Sequence, residues 1–83
     1  MNYFPAFIKL EHTKILIVGG GKIATEKMGH MLDFTDNITV ISPKLSSQMR
    51  DYIIKSKALY LEKYYHEGDV DGFDIVIIAV DDI

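Results

Sequence analysis

The sequence contains no cysteine and no tryptophan, and only two of its 83 residues are proline. Without cysteine the chain can form neither a disulfide scaffold nor a thiolate metal site, and it has no cysteine nucleophile. Long apolar runs are missing as well: the longest, residues 75–80, has six residues, whereas a membrane-spanning helix needs about 20. The N-terminus shows no signal-peptide pattern. We therefore expect a cytoplasmic protein without a membrane partner.

Basic side chains are scarce toward the C-terminus. Residues 1–57 hold eight basic and five acidic side chains, whereas residues 58–83 hold one basic and seven acidic ones. The net charge is −3, and because no basic cluster stands out we expect no nucleic-acid partner. Much of the acidic excess lies in one glycine-containing connection, which we interpret as a solvated loop: Glu67, Asp69, Asp71 and Asp74.

The histidines give no metal-binding pattern. His12, His30 and His66 are far apart, and none has another histidine at the i, i+4 spacing that places two side chains on one helix face. We predict that the chain has no metal site and that His30 faces solvent.

The composition, 48% hydrophobic and 25% charged, is typical of a globular chain, and the length allows one domain at most. Two apolar runs show no alternation, Ile15–Val18 and residues 75–80. Such runs are typical of parallel strands covered on both faces, and we predict that both lie at the centre of a sheet. Further strands are predicted at Ile38–Ile41 and, more weakly, at Leu59–Leu61.

The segments between the first three strands carry helical periodicity. Apolar residues recur at i, i+4, i+7 and i+8 in both segments, at Ala24, Met28, Met31 and Leu32 and at Leu45, Met49, Tyr52 and Ile53. Ser42 or Ser46 would cap the second helix. Residues 62–73 are predicted to cross to the other side of the sheet, and residues 1–10 to form an apolar arm over the sheet or at an interface.

This order of elements predicts an α/β fold with a Rossmann-like parallel sheet, the first β-α-β-α-β half plus a fourth strand. Gly29 inside the first helix indicates close contact between that helix and the sheet. Tyr60, Tyr64 and Tyr65 are interpreted as strand and edge packing.

A glycine-rich turn carries the strongest functional signal. The first strand runs directly into the letters GGGKIA, and Gly19, Gly21 and Ala24 match the G-x-G-x-x-G/A pattern of dinucleotide-binding sites. Gly19 permits a tight turn, Gly21 lets the backbone approach a pyrophosphate, and Ala24 lets the following helix pack close to the strand. The helix N-terminus would then face the phosphates.

The second half of that pattern is missing. An acidic residue is expected about 20 residues further on, at the end of the second strand, to hold the ribose hydroxyls of the adenosine. Here the strand is followed by Ser42, Pro43 and Lys44. Ser42 and backbone groups can still contact the ribose, whereas Lys44 would suit the 2′-phosphate of NADP, so these residues leave the choice between NAD and NADP open.

The combined motifs resemble the N-terminal NAD-binding domain of the precorrin-2 dehydrogenase and sirohydrochlorin ferrochelatase family, the N-terminal part of siroheme synthases. The family reads P-x-F, then V-x-G-G-G-x-[VI]-A-x-x-K, which is similar to Pro5 and Phe7, the glycine turn and Lys27. Its V-x-[AS]-P element is similar to the strand end at Ser42 and Pro43. Its D-L-x-G-x-x-L-V-I-A-A-T-D-D element is similar to residues 69–82, so the resemblance covers essentially the whole chain.

The resemblance implies NAD-dependent oxidation of precorrin-2, a tetrapyrrole, to sirohydrochlorin in siroheme biosynthesis, by a homodimeric enzyme. It favours NAD, because the family usually lacks the acid at the second strand. By position, Gly21, Lys22 and Ile23 would contact the pyrophosphate, and Pro43 and Lys44 the adenosine end.

The resemblance also assigns the other end of the cofactor. Ala79, Val80 and Asp81 would line the nicotinamide side, and Lys27 would meet a carboxylate of the substrate or remain a solvated helix lysine. Val80 stands where the family usually has threonine, so a hydroxyl contact is lost there. Asp82 would cap a following helix.

The family's proposed catalytic aspartate, its dimerisation segment and its tetrapyrrole-binding segment correspond to positions beyond residue 83. We therefore expect residues 1–83 to form a truncated NAD(P)-binding domain that is inactive on its own, and we assign no catalytic residue. An alternative is a nucleotide-sensing regulatory module with the same glycine motif. Such modules usually keep an acid at the end of the second strand, and its absence here favours the enzyme.

Overall fold

The computed structural model describes residues 12–80. It contains four strands and two α-helices in alternation: β1 (Ile15–Val18), α1 (Lys22–Leu32), β2 (Ile38–Ile41), α2 (Ser47–Lys55), β3 (Leu59–Leu61) and β4 (Ile75–Ile78). A 3₁₀ helix at Glu67–Val70 lies between β3 and β4. The strands form one parallel sheet in the order β3-β2-β1-β4, which confirms the predicted Rossmann-like half with a fourth strand.

One face of the sheet carries both helices. Alternate residues of β1, Ile15 and Ile17, point to this face and are fully buried, as the period of two along a strand requires. Ala24, Met28 and Met31 of α1 cover them, so the predicted apolar face of the first helix is confirmed. Burial of an isoleucine or methionine side chain here stabilises the fold by roughly 1.5–3 kcal/mol.

The second helix begins at Ser47, and Ser46 caps it by accepting a hydrogen bond from the Met49 N–H at 3.0 Å. Of the two candidate caps, Ser46 is therefore the one used. Leu45 precedes the helix yet packs against the same core as Met49, which explains why it fits the helical apolar spacing.

The opposite face of the sheet is covered by the segment between β3 and β4. Tyr65, Val70 and Phe73 of this segment pack against Leu16 and Val18, which confirms the predicted crossover. The strand β4 therefore joins β1 from the side opposite to β2, and the direction of chain winding reverses between β1 and β4.

The acidic residues of the crossover are mostly exposed, as predicted for a solvated loop, but two of them hold the loop in place. Asp69 pairs with Lys63 at 2.8 Å and accepts a hydrogen bond from the His66 N–H, also at 2.8 Å. Asp74 accepts a hydrogen bond from the Lys14 N–H at 2.9 Å. These contacts anchor both ends of the crossover.

Two predictions about packing are wrong. The run at residues 75–80 does not form a central strand, because β4 ends at Ile78 and has a single neighbour among the described strands. An apolar run indicates that both faces of a strand are covered, but it does not indicate how many neighbouring strands pair with it in the sheet. Gly29 does not touch the sheet either: a Cβ there would lie 3.0 Å from the Tyr52 hydroxyl, so the close contact joins α1 to α2.

The predicted N-terminal arm of residues 1–10 lies outside the described residues, and so do Asp81 and Asp82. Among the helices of residues 12–80, none is both long enough and apolar enough to span a bilayer.

Replacing Asp69 by asparagine is expected to remove one source of pH-dependent stability. The hydrogen bonds from Lys63 and from the His66 backbone hold the pKa of Asp69 below its ordinary value of 3.8. Because the folded-state pKa is lowered, the carboxylate stabilises the fold above the unfolded-state pKa, and this contribution is lost as pH falls through the folded-state pKa. Thermal unfolding should therefore separate wild type from Asp69→Asn at neutral pH, and the difference should shrink only as pH falls below 3.8 and through the lowered folded-state pKa.

The exposed Glu67 offers a matched control, and Glu67→Gln should follow the wild-type curve. A gap between wild type and Asp69→Asn that stays constant down to pH 2.5 would contradict this account.

Candidate functional site

A cleft of about 510 Å³ opens at the carboxyl ends of β1, β2 and β4. Open α/β sheets bind ligands at this edge, between the two strands where the winding direction reverses. Here those strands are β1 and β4. The cleft is lined by the segments that follow the strands, namely Val18, Gly19, Gly20, Gly21, Ile41, Ser42, Pro43, Lys44, Tyr64, Tyr65, Ala79 and Val80.

Gly19 makes the turn out of β1. Its φ of +128° belongs to a region that residues with a side chain rarely adopt. Its N–H donates a hydrogen bond to the Ile41 carbonyl at the end of β2, at 2.9 Å. The end of β4 is joined to β1 by the hydrogen bond from the Ala79 N–H to the Val18 carbonyl, at 2.8 Å. A Cβ on Gly19 would overlap the Ala79 carbonyl oxygen, so the ends of β1 and β4 meet only because this residue is glycine.

Gly20 occupies the variable position of the glycine pattern, to which the pattern assigns no role. A Cβ there would overlap the Lys44 carbonyl oxygen and lie 2.8 Å from the Ser42 hydroxyl oxygen. The Gly20 carbonyl also accepts a hydrogen bond from the Ser46 N–H at 2.7 Å. Gly20 thus lets the segment after β2 close against the turn. The signal in the sequence that could have shown this is the run of three consecutive glycines, one more than the G-x-G pattern requires.

The N-terminus of α1 faces the cleft without a side-chain cap. Gly21 is the N-cap residue, has extended backbone, and provides no side chain, and the first turn contains no acidic residue. The first N–H groups of a helix have no intrahelical partner, and together with the helix dipole they form an anion-binding site. Gly21 lines the cleft, whereas Lys22 and Ile23 are exposed at this end without being among the lining residues. Ala24 is fully buried beneath Gly19.

Ser42 shapes the loop after β2 instead of presenting a free hydroxyl. Its hydroxyl donates to the Lys44 carbonyl at 2.6 Å and accepts from the Lys44 N–H at 3.3 Å, and the residue is buried. Its carbonyl accepts a hydrogen bond from the Tyr60 hydroxyl at 2.9 Å. Pro43 and Lys44 are therefore the exposed groups at this wall of the cleft.

The pKa of Tyr60, whose hydroxyl bonds to Ser42 in this wall, is shifted from its ordinary value. Burial raises the pKa of the Tyr60 phenol, the negative charge of Glu62 adds to the effect, and the positive charge of Arg50 opposes it. The neutral phenol is the form that donates to Ser42, and a tyrosine whose pKa lies above the ordinary value of 10.0 is neutral at physiological pH.

Two tyrosines that sequence reasoning assigned to packing lie on the cleft. Tyr65 lines it while packing against the crossover side of the sheet. Tyr64 lines it with 74% of its surface exposed. Tyr60, in contrast, packs against the core on the helix side. The packing interpretation is therefore right for Tyr60, incomplete for Tyr65 and wrong for Tyr64, which is largely exposed.

The remaining candidates fall into two groups. Ala79 is buried and Val80 is exposed, and both line the cleft next to Gly19, whereas Asp81 lies outside the described residues. Lys27 and His30 are exposed on α1 and do not line the cleft. Within residues 12–80, no three of the His, Asp and Glu side chains lie close enough together to hold a metal ion.

A family model described as "Putative NAD(P)-binding" matches residues 6–83. The chain belongs to this NAD(P)-binding family. The glycine turn, the uncapped helix and the reversal of winding beside them are the features that a dinucleotide-binding domain needs, and all three lie within the matched residues.

Relatives of this NAD(P)-binding chain confirm its resemblance to the N-terminal part of siroheme synthases, which the motifs indicated. A siroheme synthase of Pseudomonas fluorescens (strain Pf0-1) is 35% identical over 82 residues, which cover 99% of this chain and 18% of that protein. A probable multifunctional siroheme biosynthesis protein HemA of Ruminiclostridium josui is 37% identical over 79 residues, which cover 95% of this chain and 15% of that protein. The chain thus spans less than a fifth of these relatives.

A solved structure agrees with the fold. The chain described as SirC, precorrin-2 dehydrogenase, superposes with a TM-score of 0.81 at 26% identity, covering 96% of this chain and 40% of that one. This chain therefore shares its fold with that solved structure.

Proposed function

We propose that this chain is the cofactor-binding part of an enzyme that oxidises precorrin-2 to sirohydrochlorin with NAD as hydride acceptor. The observation that carries the proposal is the uncapped N-terminus of α1, which opens onto a cleft at the point where the sheet reverses its winding. Support for the substrate comes from the names of the relatives, siroheme synthase and precorrin-2 dehydrogenase. NAD supplies the hydride chemistry when bound.

The residues of the turn fit a pyrophosphate. At Gly19 and Gly20 the place of a Cβ is taken by the carbonyl oxygens of Ala79 and Lys44, so these glycines let the neighbouring segments close around the turn that would hold the pyrophosphate. The N–H groups of Gly21, Lys22 and Ile23 then bind the phosphate oxygens, and Ala24 holds the helix close beneath the turn. The absence of an acid in the first turn of α1 avoids repulsion between a carboxylate and those phosphates.

The wall after β2 binds the adenosine end. Pro43 and Lys44 provide the contacts, and Ser42 fixes their backbone through its two hydrogen bonds to Lys44. Among the described residues that line this wall, none carries a carboxylate, which favours contact through backbone and apolar surface. Lys44 is the residue that would attract the 2′-phosphate of NADP. The ratio of the affinities for NAD and NADP therefore reports how close the Lys44 ammonium group lies to the 2′ position of the ribose.

The wall after β4 binds the nicotinamide side, with Ala79 and Val80 on the cleft and Asp81 following them. Val80 supplies apolar surface where the resembled family usually has a hydroxyl. We propose no catalytic residue on this chain. The tetrapyrrole substrate, a homodimeric assembly and a cytoplasmic location are further parts of the proposal, and the relatives' names support the first.

Calorimetric titration of the chain with NAD, NADP and ATP tests the cofactor proposal. We expect NAD to bind with the highest affinity and ATP with the lowest. Precorrin-2 oxidation, followed through NADH absorbance, tests the reaction in the complete enzyme. Binding of ATP alone would exclude a dehydrogenase and indicate the nucleotide-sensing alternative.

Replacing Tyr64 by alanine is expected to weaken NAD binding about fivefold to tenfold. Tyr64 exposes 74% of its surface on the wall of the cleft beyond β3, and stacking of a base on an aromatic ring is worth roughly 1–3 kcal/mol. The Tyr64→Phe variant keeps the ring and should bind NAD within about twofold of wild type. Nicotinamide mononucleotide, which lacks adenine, should bind both variants and wild type alike, and an equal loss for this ligand would contradict stacking on adenine.

A further inference from the structure

Two hydroxyl groups join the helices directly beneath the glycine turn. The Thr25 hydroxyl oxygen lies 2.7 Å from that of Ser46 and 2.6 Å from the Gly21 carbonyl oxygen. Thr25 is buried, with 5% of its surface exposed. A buried hydroxyl costs free energy unless it is hydrogen bonded, and threonine is a modest helix former, so the advantage of threonine at this position lies in these contacts.

The direction of each hydrogen bond follows from the number of available protons. The Gly21 carbonyl can only accept, so Thr25 donates its one hydroxyl proton to it. The proton between the two hydroxyl groups therefore comes from Ser46, whose oxygen in turn accepts from the Met49 N–H at 3.0 Å. The result is a directed chain from the first turn of α2, through Ser46 and Thr25, to Gly21, in which each bond polarises the next.

This chain holds the peptide group that opens α1. The Gly21 carbonyl accepts from both the N–H and the hydroxyl of Thr25, at 2.9 and 2.6 Å. In a planar trans peptide the carbonyl and the following N–H point in opposite directions. Fixing the Gly21 carbonyl toward the helix therefore aims the Lys22 N–H out of the helix end.

The preceding peptide is held from the same side. The Ser46 N–H donates to the Gly20 carbonyl at 2.7 Å, which aims the Gly21 N–H away from α2 by the same geometry. Two consecutive N–H groups of the turn are thus oriented by Ser46, the N-cap residue of α2, once directly and once through Thr25.

We propose that the Thr25–Ser46 hydroxyl pair positions the Gly21 and Lys22 N–H groups for the phosphates of a dinucleotide. The inference rests on the proposed function, because it concerns the same cleft. Thr25 and Ser46 are positioning residues: they act through the backbone of the turn and do not touch the ligand. The pair makes the start of α2 part of the phosphate site although α2 contributes no ligand contact.

The test compares Thr25→Val, which keeps the shape and loses the hydroxyl, with Thr25→Ser, which keeps the hydroxyl. With the full chain we expect Thr25→Val to bind NAD about fivefold to tenfold more weakly, a change in line with the loss of one hydrogen bond. Thr25→Ser should stay within about twofold of wild type. Adenosine, which carries no phosphate, should bind all three proteins with the same affinity.

A double-mutant cycle tests the coupling. Ser46→Ala should weaken NAD binding as Thr25→Val does, and the double variant should be no weaker than either single variant, because each breaks the same chain. Ser56→Ala is the structural control: it removes a hydroxyl that forms two hydrogen bonds at the other end of α2. It should lower the melting temperature and leave NAD affinity unchanged.

The outcomes separate the two proposals. If wild type does not bind NAD, the proposed function is wrong. If wild type binds NAD while Thr25→Val changes only the melting temperature, as Ser56→Ala does, the proposed function stands and the positioning role is wrong. Equal losses for NAD and adenosine would likewise overturn it, because they would show a general distortion of the cleft.

Discussion

Replacing Gly19 by alanine is expected to abolish measurable NAD binding and to lower the melting temperature by more than about 10 °C. Two costs add at this position. The φ of +128° strains any residue with a side chain, and the new Cβ overlaps the Ala79 carbonyl oxygen, a backbone atom that cannot move aside without shifting the end of β4. Together they amount to roughly 2–5 kcal/mol, and each kcal/mol shifts the melting temperature of a domain this small by about 4–8 °C.

Gly72 provides the matched control because it shares one of the two costs. Its φ is +90°, but a Cβ there meets nothing within 4 Å. Gly72→Ala should therefore show the backbone strain alone, with a smaller fall in melting temperature and unchanged NAD affinity. Thermal unfolding and calorimetry on both variants check this. If Gly19→Ala and Gly72→Ala change the melting temperature and the NAD affinity equally, the overlap with the Ala79 carbonyl contributes nothing to either property.

Replacing Gly20 by alanine has the second largest expected effect. The backbone strain is absent here, since Gly20 has no positive φ, and the whole cost comes from the Lys44 carbonyl oxygen and the Ser42 hydroxyl. Overpacking of this kind costs about 1–3 kcal/mol. Because the displaced segment is the wall proposed for adenosine, we expect NAD affinity to fall at least about tenfold.

The control for Gly20 is Gly68, which lies in the exposed 3₁₀ helix and has open space around its Cβ position. Gly68→Ala should leave both stability and NAD affinity near wild type. If Gly20→Ala binds NAD as wild type does, the segment after β2 can move without harm, and the assignment of Pro43 and Lys44 to the adenosine end loses its support.

The cleft is made by strand ends that approach within hydrogen-bonding distance of each other. The Gly19 N–H donates a hydrogen bond to the end of β2, the Ala79 N–H to the end of β1, and the Ser46 N–H to the glycine turn. Each of these contacts joins residues more than 20 positions apart in the chain. A ligand that binds here would touch four separate segments, so its affinity reports on the whole edge of the sheet.

Local patterns were sufficient to predict the elements of this chain. The unbroken apolar run Ile15–Val18 indicated a strand covered on both faces, and the spacing of Ala24, Met28 and Met31 indicated a helix with one buried face; both are confirmed. These signals are readable because burial acts on side chains at a fixed period along the chain. The motif order likewise predicted the NAD(P)-binding family, which the family match confirms.

The sequence by itself therefore determined the strands, the helices, the parallel Rossmann-like sheet and the position of the glycine turn. Only the tertiary structure decided that Gly20 must be glycine, that the Ser42 hydroxyl is occupied by Lys44, that Tyr64 lies on the cleft and that β4 has one neighbour. The physical reason is the same in each case: these properties depend on which backbone or side-chain atoms from distant segments come within contact distance, and no local periodicity records that.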